Sequence, residues 1–143
     1  MNNSQQICTF YLGRYFFGVE AKTVQEFVRP QTMTPVATAH PAVRGLINLR
    51  GQIVTALDIR HRLELPRYDG ETKQMNVVVR TQSGGAVSFL VDRIGDVLDV
   101  TDDTFERPPE TLRGVARELI IGAYKLRSQL LLILDVGKTL RLN

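Results

Sequence analysis

The feature that most constrains the fold of this chain is a pair of apolar runs that flank a tight polar turn. The runs are residues 46–49 and 53–57, and Arg50-Gly51-Gln52 lies between them. Short aliphatic runs joined by a glycine-containing turn predict a β-hairpin. Gly51 tolerates the positive φ that such a turn needs, so Arg50 is expected at a rigid tip. The expected anchors of the two strands are Leu46, Leu49, Ile53 and Leu57.

Short β-type runs separated by turn signals recur along the rest of the chain. Residues 94–100 fit either a strand or a turn, and 83–85 and 127–128 are predicted hairpin turns. The predicted strands are 7–12, 15–19, 46–49, 53–57, 75–80, 86–91, 119–126 and 129–134, with 94–100 as a candidate. About eight or nine short strands with turns at this spacing indicate an all-β sandwich or barrel.

Only one or two short helices are expected beside the strands. In residues 20–28, Val24, Phe27 and Val28 fall at i, i+3 and i+4, which favours a helix that ends before Pro30. Val24 is then either a core residue or the wall of a binding groove. Residues 58–63 fit one helical turn, and 135–140 a short helix with Asp135 as its N-cap.

Composition limits the class of protein. A chain of 143 residues is most simply one domain, and a single cysteine excludes an internal disulfide. Cys8 alternates with Phe10 and Leu12, so we expect it in the core. The net charge is +3, but basic and acidic residues are concentrated in different parts of the sequence. Basic residues gather at Arg44, Arg50, Arg60, Arg62 and Arg67, and acids at Asp92, Asp96, Asp99, Asp102, Asp103 and Glu106. This asymmetry suits protein contacts better than a phosphate backbone.

No catalytic, metal-binding or cofactor-binding constellation is evident. The chain has two histidines, His40 and His61, and neither has ligand spacing to a cluster of Cys, Asp or Glu. His61 lies between Arg60 and Arg62, whose charges disfavour a bound cation. No phosphate-binding glycine loop or nucleophile elbow is present. We therefore expect a non-enzymatic protein without cofactors.

The amino-terminal residues predict the compartment. Residues 1–6 lack the basic and apolar regions of a signal peptide, and no apolar run approaches the roughly 20 residues of a membrane span. We expect a cytoplasmic protein that meets a membrane only through another protein. Residues 1–6 are expected to form a flexible tail, and 7–143 the folded domain.

The hairpin also carries a family resemblance. Its motif is Gly45-x-x-Asn48-Leu49-Arg50-Gly51-x-Ile53-Val54, followed by Asp58-Ile59-Arg60. It resembles the signature region of CheW, the coupling protein of bacterial chemotaxis arrays. The resemblance continues through Phe10-Tyr11-Leu12-Gly13, Val24-Gln25-Glu26-Phe27, Phe89-Leu90-Val91-Asp92, Arg107-Pro108 and Leu132-Ile133-Leu134. It covers nearly the whole chain, without a kinase, phosphotransfer or receiver segment.

The resemblance implies a fold and a function. The fold would be two small intertwined five-stranded SH3-like β-barrels, as two subdomains around one shared core. The function would be that of a scaffold in chemotaxis signal transduction, joining chemoreceptor cytoplasmic tips to the regulatory domain of the histidine kinase CheA. The partner-binding residues that carry over are Val24, Glu26, Gly45, Arg50, Gly51 and, for a second kinase contact, Arg107. Residues 110–115 need a gap to match the family, and no role is carried over to them.

A small β-barrel nucleic-acid-binding protein is the alternative. Such a protein interleaves aromatic and basic residues on one sheet face. The aromatic cluster here is Tyr11, Tyr15, Phe16 and Phe17; Arg14 alone joins it, and the chain has no tryptophan. Some of the selected residues also have purely structural interpretations. Arg50 could be a solvated turn residue and Glu26 a surface acid, and Gly45 and Gly51 could be required only for the backbone conformation.

Overall fold

Strands dominate the structure. The computed structural model describes residues 4–37, 39–68, 70 and 73–142. Within those residues the strands are β1 Ser4–Leu12, β2 Tyr15–Glu20, β3 Val24–Val28, β4 Val43–Leu49, β5 Gln52–Asp58, β6 Met75–Arg80, β7 Ala86–Val91, β8 Arg93–Thr101, β9 Phe105–Glu106, β10 Ile120–Lys125 and β11 Leu130–Leu134. The helices there are α1 Ile59–Arg62, α2 Gly114–Leu119 and α3 Val136–Thr139, with 3-10 turns at Ala21–Thr23 and Asp102–Thr104. The predicted all-β class is confirmed.

Two sheets divide the strands between them. One sheet has the order β8-β1-β2-β11-β10-β9, and the other the order β3-β6-β7-β5-β4. Neighbours are antiparallel except β2 with β11 and β5 with β7. The edge strands β8 and β9 of the first sheet are separated in the chain only by the turn Asp102–Thr104, so that sheet curls round on itself. The expected fold of two intertwined barrels is confirmed, with the two-residue β9 as a sixth strand in one of them.

The chain passes between the two sheets twice. It leaves the six-stranded sheet after β2, completes β3 to β7 in the five-stranded sheet, and returns at β8. The 3-10 turn Ala21–Thr23 makes the outward passage and the single residue Asp92 makes the return. We call the two parts the six-stranded half and the five-stranded half.

Three clusters of apolar side chains form the interior. The largest takes residues from both halves, among them Phe10 and Phe17 of the six-stranded half and Leu57 and Phe89 of the five-stranded half. Each half also has a cluster of its own, around Leu131 in one and Ile47 in the other. A core common to both halves was expected. Cys8 belongs to it, and burial raises the pKa of its thiol.

The β6–β7 hairpin follows the sequence prediction closely. β6 and β7 have the predicted bounds, and a hydrogen bond closes the turn between them: the N–H of Thr81 donates to the carbonyl of Gly85 over 3.0 Å. The predicted N-cap at Asp135 is confirmed, since its side chain accepts from the N–H of Lys138, and Asp58 caps α1 in the same way by accepting from the N–H of His61. β1 begins at Ser4 because β8 pairs with it as far as Thr101, so residues 4–6 belong to a strand and not to the expected flexible tail. None of the helices in the described residues is long and apolar enough to cross a bilayer.

The helix predicted for residues 20–28 is wrong. Only the 3-10 turn Ala21–Thr23 is helical, and Val24–Val28 is strand β3, paired with β6. The register shifts between Val24 and Glu26, so Gln25 is an extra residue in a β-bulge. The bulge breaks the two-residue alternation and leaves apolar residues at a spacing that imitates a helix.

The sequence analysis missed helix α2. Leu112, Val115, Ala116 and Leu119 all pack against the shared core. Their spacing is the i, i+3, i+4, i+7 pattern of an amphipathic helix, so a signal was present in the segment left unassigned. Gly114 begins the helix with a φ of 62°, a conformation that glycine adopts without steric penalty.

Candidate partner-binding site

The site is built on the hairpin of β4 and β5. Leu49 pairs with Gln52, so Arg50 and Gly51 are the two residues of the turn. Their φ angles are 52° and 89°, and a two-residue turn with both φ positive is the type that matches strand twist. The side-chain oxygen of Asn48 accepts a hydrogen bond from the N–H of Gly51 over 2.8 Å. The positive φ predicted for Gly51 is confirmed, and Arg50 shares it.

Two of the four expected strand anchors are confirmed and two are not. Leu49 and Leu57 are buried, whereas Ile53 is 60% exposed and Leu46 is only partly buried. Beside Leu49, the side chains that fix the hairpin in the five-stranded half are Ile47, Val54 and Ala56. Alternation puts the residue after Gln52 on the outer face, so Ile53 adds an apolar surface close to the tip. The sequence analysis took it for an interior residue.

Arg50 and Glu26 form an ion pair that closes the barrel of the five-stranded half. β3 and β4 lie at opposite edges of the sheet, yet the Nη2 atom of Arg50 donates to the Oε2 atom of Glu26. The Arg50 side chain is 73% exposed and that of Glu26 is 23% exposed. Both residues were selected from the sequence as partner-binding residues, but their contact with each other was not expected. Most of the Arg50 side chain is exposed to solvent despite the contact.

The pair changes the acidity of Glu26. The hydrogen bond from Arg50 lowers the pKa of this carboxyl group, and a second hydrogen bond from Gln25 acts in the same direction. Both bonds stabilise the carboxylate over the neutral acid. The carboxylate therefore stays charged at and below neutral pH, and the hairpin tip carries a positive and a negative side chain next to each other.

Gly45 has a steric role in the same hairpin. Thr34 and Leu46 exchange two backbone hydrogen bonds, each 2.8 Å long, which brings residues 33–34 against β4. A Cβ atom on Gly45 would lie 2.7 Å from the carbonyl oxygen of Thr34. Gly45 is thus needed for this close approach of two backbone segments. Gly51 has open space around it, and only its φ constrains it.

Val24 was considered either as a core residue or as the wall of a binding groove, and the structure shows features of both. It is in β3 opposite Val79, two positions from Glu26. Its side chain is partly buried and packs against the shared core. Phe27, on the other side of Glu26, is 38% exposed. Glu26 is therefore followed directly by an exposed apolar residue, which was not selected from the sequence, and Gln25 separates it from Val24.

Arg107 is separated from these residues. It directly follows β9 at the edge of the six-stranded half, and it is exposed. Val24, Glu26, Gly45, Arg50 and Gly51 all belong to the five-stranded half. The selected residues thus form two regions, one on each half of the molecule.

Some of the charges expected on the surface are used inside the fold. The side chains of Arg60 and Asp92 are 13% and 15% exposed and are joined by an ion pair of 2.5 Å. Arg62 donates to backbone carbonyls near the end of the chain. Arg44 pairs with Asp58 over 3.4 Å. The proposed basic surface is smaller than the sequence predicts.

The two histidines lie close to each other. The ring centroids of His40 and His61 are 6.2 Å apart in an edge-on arrangement. Nδ1 of His40 accepts a hydrogen bond from the N–H of Ala42. Across residues 4–37, 39–68, 70 and 73–142, no group of three or more His, Cys, Asp or Glu is arranged to hold a metal ion.

The aromatic cluster considered for nucleic-acid binding is largely internal. Phe16 and Phe17 are buried in the core. Tyr15 is near the guanidinium of Arg14, at 5.3 Å from the ring centroid, and Tyr11 near that of Arg93, at 4.3 Å. A base-stacking surface needs exposed ring faces along one groove. Two isolated ring–arginine contacts do not make one.

Comparisons with known proteins agree on one family. A family model described as the CheW-like domain matches residues 6–143. The chemotaxis protein CheW of Klebsiella aerogenes is 30% identical over 138 residues, which are 95% of this chain and 81% of that protein. The protein of the same name from Treponema pallidum is 28% identical over 142 residues, covering 96% and 84%.

One solved structure supports the fold. It is the crystal structure of the scaffolding protein TtCheW from Thermoanaerobacter tengcongensis, which superposes with a TM-score of 0.87. It covers 99% of this chain and 95% of that one, at 20% identity. The comparisons give no support to a nucleic-acid-binding function.

Proposed function

Because this chain belongs to the CheW-like domain family, we propose that it is a non-enzymatic adaptor of bacterial chemosensory signalling. It joins the cytoplasmic tip of chemoreceptors to the regulatory domain of the histidine kinase CheA. It acts in the cytoplasm and reaches the membrane through the receptors. Residues 7–143 are its CheW-like domain, with the two halves as subdomains.

The carrying observation is that the candidate residues form two separate regions. An adaptor holds two partners at once, and their surfaces must not overlap. Arg50 and Glu26 lie on the five-stranded half, and Arg107 on the edge of the six-stranded half. The descriptions of similar proteins support an adaptor role in chemosensory signalling, because the relatives are described as chemotaxis proteins and the structural neighbour as a scaffolding protein.

The hairpin tip is suited to a partner that offers both charge and apolar surface. Most of the Arg50 side chain is exposed, and the fork of N–H donors of a guanidinium fits a carboxylate or carbonyl oxygens. Ile53, which follows Arg50 in the hairpin, and Phe27, which follows Glu26 in β3, supply exposed apolar area. Interfaces commonly combine an apolar centre with charged residues at the rim. Val24 contributes the inner wall of the same surface.

The test is reconstitution from purified components. The chain is mixed with a receptor-tip fragment, with the CheA regulatory domain, and with both, and complexes are separated by size. The proposal predicts a complex with each partner and a ternary complex. Failure to bind either partner contradicts it.

The same preparation tests the nucleic-acid alternative. A labelled oligonucleotide is added at about 0.1 M salt, where non-specific binding through phosphates is still measurable. The proposal predicts no retention. Salt-sensitive retention, together with no binding to the receptor fragment or the kinase domain, would favour the alternative.

A further inference from the structure

The two halves meet at the return passage of the chain. Asp92 is the one residue between β7 of the five-stranded half and β8 of the six-stranded half. Its N–H donates to the carbonyl of Tyr11 in β1 over 3.0 Å. A change in the angle between the halves must therefore move the backbone at this residue.

The carboxylate of Asp92 is bonded to both halves. Its Oδ2 atom accepts from the N–H of Gly13, in the turn between β1 and β2, over 2.6 Å. The same oxygen accepts from Nη2 of Arg60, in α1, over 2.5 Å. A single oxygen atom thus joins a turn of the six-stranded half to a helix that extends the five-stranded half. Charge-assisted bonds of this length hold geometry more firmly than neutral ones.

Arg62 makes a second connection from the same helix. Its Nε atom donates to the carbonyl of Thr139 over 3.0 Å, and its Nη2 atom to those of Lys138 and Arg141 over 2.9 and 2.5 Å. Lys138 and Thr139 are the last residues of α3, Arg141 lies just beyond its C-cap, and α3 follows β11 of the six-stranded half. The guanidinium caps the carboxyl end of α3, where free carbonyls and the helix dipole favour a cation.

Helix α1 is fixed rigidly to the hairpin that carries the candidate site. Asp58 is both the last residue of β5 and the N-cap of α1, so no linker separates them. Ile59 is fully buried in the shared core. Arg50 lies at the other end of β5, and Arg107 lies at the far end of the segment that Asp92 begins. Along the chain, helix α1 and Asp92 therefore both lie between Arg50 and Arg107.

We propose that Arg60 and Arg62 form a clasp that fixes the angle between the two halves, and so fixes how the adaptor orients its two partners. The second clause rests on the proposed function. Apolar packing in the shared core holds the halves together but is not directional, whereas hydrogen bonds to particular oxygens define an angle. Arg60 and Arg62 are positioning residues and contact neither partner.

The first test needs no partner. Ile53 and Ile121 are exposed and lie on different halves, so each is replaced by cysteine and spin-labelled. Cys8 is buried, so brief labelling modifies only the introduced thiols. Distances between the labels are measured by pulsed electron paramagnetic resonance. Arg60→Gln and Arg62→Gln are expected to broaden or shift the distance distribution.

Arg44→Gln is the matched control. Arg44 pairs with Asp58 inside the five-stranded half, so its loss removes an arginine–carboxylate contact without touching the connection between halves. Its distance distribution is expected to stay as narrow as that of the parent protein. Should Arg60→Gln fail to fold, Arg62→Gln decides the question, because two of its three bonds are at exposed positions. A folded Arg62→Gln protein with the parent distribution overturns the clasp.

The second test concerns the partners. The receptor fragment and the kinase regulatory domain each carry one label, and their distance is measured in the ternary complex. Arg62→Gln is expected to keep both binary affinities within about twofold, as for a surface change away from an interface, and to broaden the distance between the partners. An unchanged distance overturns the orienting role. If the parent protein binds neither partner, the proposed function fails while the first test still decides the clasp.

Discussion

The molecule contains two arginine–carboxylate pairs of nearly the same chemistry in opposite surroundings. At the hairpin tip, Arg50 and Glu26 pair with side chains that are 73% and 23% exposed. Beneath helix α1, Arg60 and Asp92 pair with side chains that are 13% and 15% exposed. Water screens the first pair and is largely excluded from the second. Removing one member of a buried pair leaves an unpaired charge in the interior, whereas water solvates the survivor of an exposed pair.

The contrast separates residues that are proposed to bind a partner from residues that stabilise the fold. Each pair joins parts of the chain that are distant in sequence, β3 with the turn between β4 and β5 in one case, and α1 with the residue between β7 and β8 in the other. Only the tip pair leaves a guanidinium available to a second molecule. A sequence motif that includes both Arg50 and Arg60 therefore combines a proposed binding residue with a structural one.

The largest expected effect is at the buried pair. Asp92→Ala removes the acceptor of Arg60 and of the Gly13 N–H, and we expect a loss of about 3–5 kcal/mol in the free energy of unfolding. Urea denaturation measures it. Glu26→Ala is the matched comparison at the exposed pair, and its loss is expected to be much smaller. Equal losses for the two variants would remove the distinction between the pairs.

The turn beside the exposed pair gives the next effect. Gly51 has a φ of 89° and empty space where a Cβ would lie, so backbone strain alone opposes a side chain. Gly51→Val is expected to lower stability by about 1–3 kcal/mol. Asparagine tolerates positive φ better than valine does, so the stability of Gly51→Asn should lie between that of the parent protein and that of Gly51→Val. An unchanged melting temperature for Gly51→Val would contradict the turn geometry.

A smaller loss of stability is expected at Val24, which borders both environments. Its side chain packs against the shared core from strand β3, so Val24→Asp brings a charge to a half-buried position. We expect a loss of about 1–2 kcal/mol together with weaker binding of the partner. Thermal melting and circular dichroism measure the first, and titration with the receptor fragment the second. A loss of stability without any change in binding by the folded protein would assign Val24 to the core alone.

The sequence predicted the elements whose signals are local. The hairpin pairs and the N-cap at Asp135 depend on residues within a few positions, and so do their sequence patterns. The strand Val24–Val28 was mistaken for a helix because a bulge at Gln25 disturbed its alternation, and pairing with β6 decides its state. The ion pairs could not be predicted, because sequence separations of 24 and 32 residues carry no spacing rule. Arg60 was taken for a surface charge for the same reason.

The smallest effect is the pH dependence of the exposed pair. The pKa of Glu26 in the folded protein lies below its ordinary value of 4.5, because Arg50 donates a hydrogen bond to the carboxylate. A lowered pKa contributes stability above the ordinary value, and this contribution is lost as the pH falls through the folded value. Glu26→Gln should therefore melt slightly below the parent protein at neutral pH. Melting curves at successively lower pH should converge, and a constant difference would contradict the assigned cause.

We propose that Arg50 binds a partner protein in addition to pairing with Glu26. Arg50→Glu, Arg50→Lys and the exchanged pair Glu26→Arg with Arg50→Glu are compared in ternary assembly with the receptor fragment and the kinase regulatory domain, each beside a melting curve. Arg50→Glu should remain folded and lose assembly by about tenfold in affinity or more. Arg50→Lys should fall between, because an ammonium keeps the charge but not the fork.

The exchanged pair gives the most direct measurement. It restores an ion pair between β3 and the hairpin tip while reversing the charge that the tip presents to solvent. The account predicts that this protein melts close to the parent and still fails to assemble with the receptor fragment and the kinase domain. Normal assembly of the exchanged pair, or of folded Arg50→Glu, would contradict the claim that the Arg50 guanidinium contacts a partner.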